Sequence, residues 1–255
     1  YAKNIMEAYE QAGCGAIVVN TSYSDAVIPW LRSAGHAYPD FGSGNLNHLI
    51  PRMKFYLAGR FGIDNLNDID VTLAVSHFHD VVISKEGQAE GQDILLAASY
   101  RGEELRFDRD ELLRACRIAM PTDQKRNMMN ASSNFNIIES ILGAIRDGEC
   151  RKVHSPGVLG EIGGYPFLID ASRGPAEARF VTARFTMEQM REANRRSIYL
   201  DGIEDVREGT LYYTDELLVK ADQAFGVRLP KAVHFDEIDA AGEFIIERII
   251  RPNAQ

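Results

Sequence analysis

Residues 42–80 read GSGNLNHLIPRMKFYLAGRFGIDNLNDIDVTLAVSHFHD, and two periodicities within them decide the fold. Leu46, Leu49, Ile50, Met53, Leu57 and Phe61 recur at helical spacing, which predicts one long amphipathic helix from about Gly42, stopped by Gly62 as a C-cap glycine. Pro51 falls inside that pattern, where its ring and missing N–H kink a helix or mark a break. Ile69, Val71, Leu73 and Val75 then alternate, predicting a strand that runs into Ser76, His77, Phe78, His79 and Asp80.

Upstream, Ile5, Ala8, Tyr9 and Ala12 share one helical face, and Gly13 and Gly15 interrupt it. The apolar run at residues 16–19 has the length and character of a buried parallel strand. A polar turn at residues 20–25 follows, then a helix carrying Val27, Trp30 and Leu31 that closes at Gly35. In open α/β sheets ligands gather at the carboxyl ends of strands, so this turn is a candidate binding edge. Downstream, short strands are expected at residues 81–84 and 94–99, and helices at 108–119 and 131–147. Residues 152–170 read as strands interrupted by glycines, followed by a capped helix at 186–196. A strand at 211–213 and helices at 215–225 and 237–251 complete the chain, with no internal repeat and no low-complexity linker.

Bulk properties narrow the function classes. The chain has 255 residues, 45% of them hydrophobic and 25% charged, enough to bury a core in one or two domains. Its net charge of -9 argues against nucleic acid as partner and requires a local positive site for any anionic substrate. No apolar run reaches the roughly 18 residues of a membrane span, so no membrane partner is expected. Cys14, Cys116 and Cys150 are widely spaced without a CxxC pattern and read as reduced, mostly packed thiols of a cytoplasmic protein.

Over roughly residues 1–200 the order of elements resembles the lactate/malate dehydrogenase superfamily. Val18 to Asp25 is similar to that family's strand ending in Asn-Pro-Val-Asp, without the Pro and with one or two residues inserted. Asn20 or Ser22 takes the matching position, implying contact with substrate and, for Asn20, with the nicotinamide. The helix before Gly62 and Ile63 resembles the family's Leu-Asp-x-x-Arg helix and places Arg52 on the arginine that grips the substrate carboxylate. A planar guanidinium suits that role because it makes two parallel charged hydrogen bonds. His77 lies 25 positions after Arg52, close to the family separation between that arginine and the catalytic histidine. His79, followed by Asp80, is the other candidate for the group that takes the hydroxyl proton. Ser132, Ser133 and Asn134 resemble the segment that lines the family's substrate pocket, although Ser132 also suits a helix N-cap.

Two departures stand beside the resemblance. Ungapped matching puts Leu49 where the family carries the aspartate that orients the histidine, leaving Asn47, Asp25 or Asp40 as substitutes. The Gly-x-Gly-x-x-Gly turn that binds the dinucleotide is missing, and with Tyr1 in place of an initiator methionine that half is expected upstream or degenerate. The expected fold class is α/β, the end of a parallel Rossmann-type sheet, joined to an α+β lactate/malate-dehydrogenase-like C-terminal domain. Its expected parts are residues 1–40 from the dinucleotide-binding domain, a catalytic domain at 41–200, and an extension at 201–255 packed on it. The resemblance implies a homo-oligomeric oxidoreductase using NAD or NADP on a small anionic 2-hydroxyacid. Two alternatives remain: a non-catalytic assembly subunit on the same scaffold, and an NAD- and metal-dependent enzyme like the family-4 glycosidases. In the last, His77 and His79 would join His48, Cys150 or His154 around the metal.

Overall fold

A computed structural model describes residues 1–76, 78–89, 94–119 and 124–254, with backbone alone at 24, 25, 45, 78–80, 125 and 126. Helix α1 (Ala2–Ala12) leads to strand β1 (Val19–Asn20), helix α2 (Ser24–Ser33) and strand β2 (Phe41–Gly42). A 3-10 turn (Asn45–His48) then enters α3 (Leu49–Phe61), followed by β3 (Ile69–Ala74), α4 (Phe78–Glu86), β4 (Leu95–Tyr100) and β5 (Glu103–Glu104). Helices α5 (Arg109–Ala115) and α6 (Lys125–Asp147) precede β6 (Arg151–Pro156), β7 (Gly164–Asp170), β8 (Glu177–Phe180) and α7 (Met187–Ser197). The chain continues through β9 (Ile203–Arg207), β10 (Thr210–Tyr213), α8 (Asp215–Phe225) and β11 (Ala232–His234). It closes with α9 (Ile238–Ile245), a π-helical turn (Ile246–Ile250) and α10 (Arg251–Asn253).

The architecture is mixed α/β. Strands β1 and β2 form a short parallel pair, while β3-β4-β5, β6-β7-β8 and β9-β10-β11 are antiparallel sheets. The parallel pair is only two residues long because the Val18 N–H goes to the Asp40 carboxylate, at 2.7 Å, instead of to a neighbouring strand. Pro51 sets the start of α3: the long helix expected from Gly42 breaks at His48, which puts the proline in the first turn, where no N–H is needed. Gly62 ends that helix in the left-handed conformation at φ 66.

Leu49, Met53 and Leu57 of α3 pack on Ile69, Val71 and Leu73 of β3 and on Leu112 and Leu113 of α5. A second core joins Phe41, Ile137, Val153, Tyr165, Phe167 and Met190. In the third, Trp30 and Leu31 of α2 meet Leu211, Val233 and Phe235, and the Trp30 indole donates to Gly209 O at 2.7 Å. The C-terminal sheet is thus seated largely on α2.

Several expected elements differ. Residues 81–84 are not a strand but part of α4, and the antiparallel partner of β3 is β4. Strand β8 extends the β6-β7 pair beyond what the glycine-interrupted sequence predicted. The helix expected from Ala131 starts at Lys125, so Ser132 lies inside α6 and is not its N-cap. Of the cysteines only Cys116 is buried, while Cys14 and Cys150 are exposed free thiols.

The β3 and β7 sheets meet at one bridge, where Val75 and Gly164 exchange hydrogen bonds of 3.2 and 3.0 Å. An added Cβ on Gly164 would overlap Leu46 and stand 2.6 Å from the Val75 carbonyl oxygen. Gly164→Ala is therefore expected to cost about 2 kcal/mol by forcing the two sheets apart. Urea denaturation would show this as a lower midpoint, and an unchanged midpoint would mean that the bridge yields freely.

Candidate functional site

Arg52 projects from the second turn of α3 into a knot of acceptors. Its Nε donates to the His48 carbonyl at 3.1 Å and one terminal nitrogen donates to the Cys116 carbonyl at 2.7 Å. The other terminal nitrogen lies 3.0 Å from Ser84 Oγ and 3.1 Å from His48 Nδ1. Cys116 caps the C-terminus of α5, where carbonyls lack intrahelical partners and attract a cation. Burial pushes the Cys116 thiol up to about 11, and the neighbouring Arg52 charge works in the opposite direction. The guanidinium thus ties α3, α4 and α5 together, and its contact on α4 is the helix that begins directly after position 77.

The remaining sequence candidates are dispersed. Asn20 ends β1, and its side chain closes the following turn by donating to Ser22 O at 2.9 Å and accepting from Ser22 N at 3.1 Å. Ser22 is exposed on that turn. His77 lies outside the described residues, and His79 sits in α4, not on the strand face it was expected to share with His77. Leu49, in the place of the family's aspartate, is fully buried. Of the substitutes considered, Asn47 donates to Asn136 Oδ1 at 2.7 Å, Asp40 is occupied by Val18, and the side chain of Asp25 lies outside the described residues. Among the described residues, no three His, Cys, Asp or Glu are grouped to hold a metal. No helix among them is long and apolar enough to cross a membrane.

A cleft of about 740 Å³ opens between α3, the start of β3, α6 and β6. Ser132, Asn47, Lys54, Asp70, Lys152 and His154 line it. Lys152 donates to Asp70 at 2.7 Å and to Thr72 Oγ1 at 3.0 Å. Burial lowers the Lys152 ammonium below the ordinary lysine range, against the pull of Asp70. Lys54 has no hydrogen-bond acceptor among the described residues; burial lowers it too, with Lys152 adding to the shift and Asp70 opposing it. His154 is fully buried and its Nε2 accepts the Leu73 N–H at 3.2 Å. The cleft supplies local positive charge in an otherwise acidic chain.

Sequence reasoning passed over Lys54 and Lys152, and weighed His154 only as a metal ligand. One signal was available, since positions 152 and 154 share a strand face and Lys54 lies two places after Arg52. Because more of its amine is neutral near pH 8, Lys54 is expected to acetylate ahead of exposed Lys220 in partial labelling read by peptide mass spectrometry. Slower labelling at Lys54 would show that access, not protonation, controls it.

No protein-family model matches the sequence, and no curated protein matches it. Among solved structures the chain is similar to the malate dehydrogenase from Aeropyrum pernix, at 15% identity and a TM-score of 0.45. That match covers 76% of this chain and 65% of the dehydrogenase, so the chain spans less than two thirds of the neighbour's length.

Proposed function

We propose that this chain supplies the substrate-binding part of an NAD(P)-dependent oxidoreductase acting on a small 2-hydroxyacid. The carrying observation is the placement of Arg52, held by carbonyl and hydroxyl acceptors against the helix that follows His77. Most of the Arg52 donors are committed to these acceptors, so a substrate carboxylate binds by displacing the Ser84 and His48 contacts of one terminal nitrogen from an arginine already fixed in place. The chain's own part is then to hold the substrate carboxylate at Arg52 and to take the hydroxyl proton at His77 or His79. The nicotinamide, when bound, accepts the hydride. Of the residues such a cofactor needs, Asn20 at the carboxyl end of β1 fits the nicotinamide end, whereas the sequence holds no glycine turn for the pyrophosphate.

The test is calorimetry of NADH and NADPH with the full-length protein, then of oxamate with the dinucleotide present. Oxamate binding that requires the dinucleotide and weakens at least tenfold in His77→Asn supports the reading. An absence of dinucleotide binding overturns it. That result would favour the assembly subunit, which rests on two observations: Leu49 is buried where an acid would be needed, and α6 carries an exposed apolar stripe. Phe135, Ile138, Leu142 and Ile145 in that stripe are 66%, 53%, 60% and 59% exposed, a face suited to a second copy in a homo-oligomer.

A further inference from the structure

A second cleft, about 460 Å³, lies between α2, the loop before β7 and α7. Arg32 reaches it from α2, while Arg191 and Arg195 reach it from α7. Glu161 sits beneath them with its side chain only 12% exposed. It takes Nε and a terminal nitrogen of Arg191 at 2.9 and 2.8 Å, and a terminal nitrogen of Arg32 at 2.8 Å. Burial works to raise the Glu161 carboxyl, yet the two guanidiniums hold it below the usual range, so it carries one full negative charge. Arg195 has no hydrogen bond or ion pair among the described residues, and its charge acts on the buried Tyr165 hydroxyl at the cleft wall. Within the cleft's lining one carboxylate faces three guanidiniums, an excess of two positive charges, with Glu188 and Glu192 on the adjoining part of α7.

The arrangement is built, not incidental. Gly160 adopts φ +80, and a Cβ there would overlap the Arg32 side chain, so the loop passes the arginine only because this residue is glycine. Arg191 and Arg195 stand one turn apart on α7, a like-charge spacing that disfavours an isolated helix. Beyond their bonds to Glu161, Arg191 keeps the donors of one terminal nitrogen, and Arg32 those of its second terminal nitrogen, without a protein acceptor among the described residues.

We propose that this cleft binds a tetrahedral dianion of the phosphate class, free or as a monoester, between Arg32, Arg191 and Arg195. A dianion matches the excess charge, and three planar donors approaching from two helices suit a tetrahedral set of oxygens better than a planar carboxylate. The site shares no residue with the 2-hydroxyacid reading and stands or falls without it.

The test follows the arginine Nε–H resonances of the 15N-labelled protein during titration with inorganic phosphate, with glycerol phosphate, and with chloride at matched ionic strength. Saturable shifts at Arg32, Arg191 and Arg195 with either phosphate are expected, together with at least a tenfold loss of affinity in Arg195→Gln. Because Arg195 makes no ion pair, that variant should keep the wild-type melting temperature, and Lys220→Gln should bind as wild type does. Shifts that chloride reproduces, or unchanged affinity in Arg195→Gln, would overturn the proposal. Saturation by phosphate but not by the ester would retain the site and restrict it to the free ion.

Discussion

Arg52→Ala is expected to lose about 3 kcal/mol of folding stability and all measurable oxamate binding. The stability term comes from the acceptors left behind: the Cys116 carbonyl at the end of α5, the His48 carbonyl and the Ser84 hydroxyl all lose a charged donor at once. Since α3, α4 and α5 meet at that guanidinium, the loss should appear as a lower urea midpoint for the whole domain and not as fraying of one end. Binding alone cannot decide the role of Arg52, because a loosened knot would weaken any neighbouring site. Arg52→Lys separates the two effects. It retains the charge and one or two of the contacts, so stability should fall by less, about 1 to 2 kcal/mol, while the planar guanidinium proposed to meet the carboxylate is lost. Oxamate binding that survives in Arg52→Lys at wild-type strength would remove Arg52 from the substrate site and leave it as a structural clamp.

The same residue shows what was legible in the sequence. The helix that carries Arg52 was readable because its apolar positions repeat at helical spacing and Gly62 stops it, but its start was placed too early, since Pro51 was read as a kink or break where it stands in the first turn. The capped start of α7 was legible in the same local way, through the Thr186 side chain. Residues 81–84 were misread because a run of three apolar residues fits a buried strand and a buried helix equally, and only the pairing of β3 with β4 decides between them. The partners of Arg52 were invisible for another reason. Ser84 and Cys116 belong to other helices, and no local pattern announces that a guanidinium will end on a distant carbonyl. The lysine cleft and the arginine cleft share this property, since each collects its charges from separate elements.

Burial makes His154 the group that should dominate acid sensitivity below neutrality. It is fully buried, and burial first, then the Lys152 and Lys54 charges, hold its pKa well below 6.5. The folded protein keeps the imidazole neutral, and its Nε2 accepts the Leu73 N–H; a proton there would set donor against donor. In the unfolded chain the same histidine protonates near 6.5. Between that value and the depressed folded pKa the unfolded state holds one more proton, so stability rises with pH and falls on acidification. The slope is about 1.4 kcal/mol per pH unit. Carboxylates act in a lower window: Asp170, held to about 2 first by its hydrogen bonds to Ser172, loses its contribution only as the pH drops below the ordinary carboxyl range. Urea midpoints measured from pH 7.5 to 5 thus isolate His154. Wild type should lose stability steadily below 6.5, while His154→Gln, which can still accept from Leu73 but cannot take a proton, should start lower and stay nearly flat. Parallel curves for the two proteins would place the acid response on another group and refute the assignment.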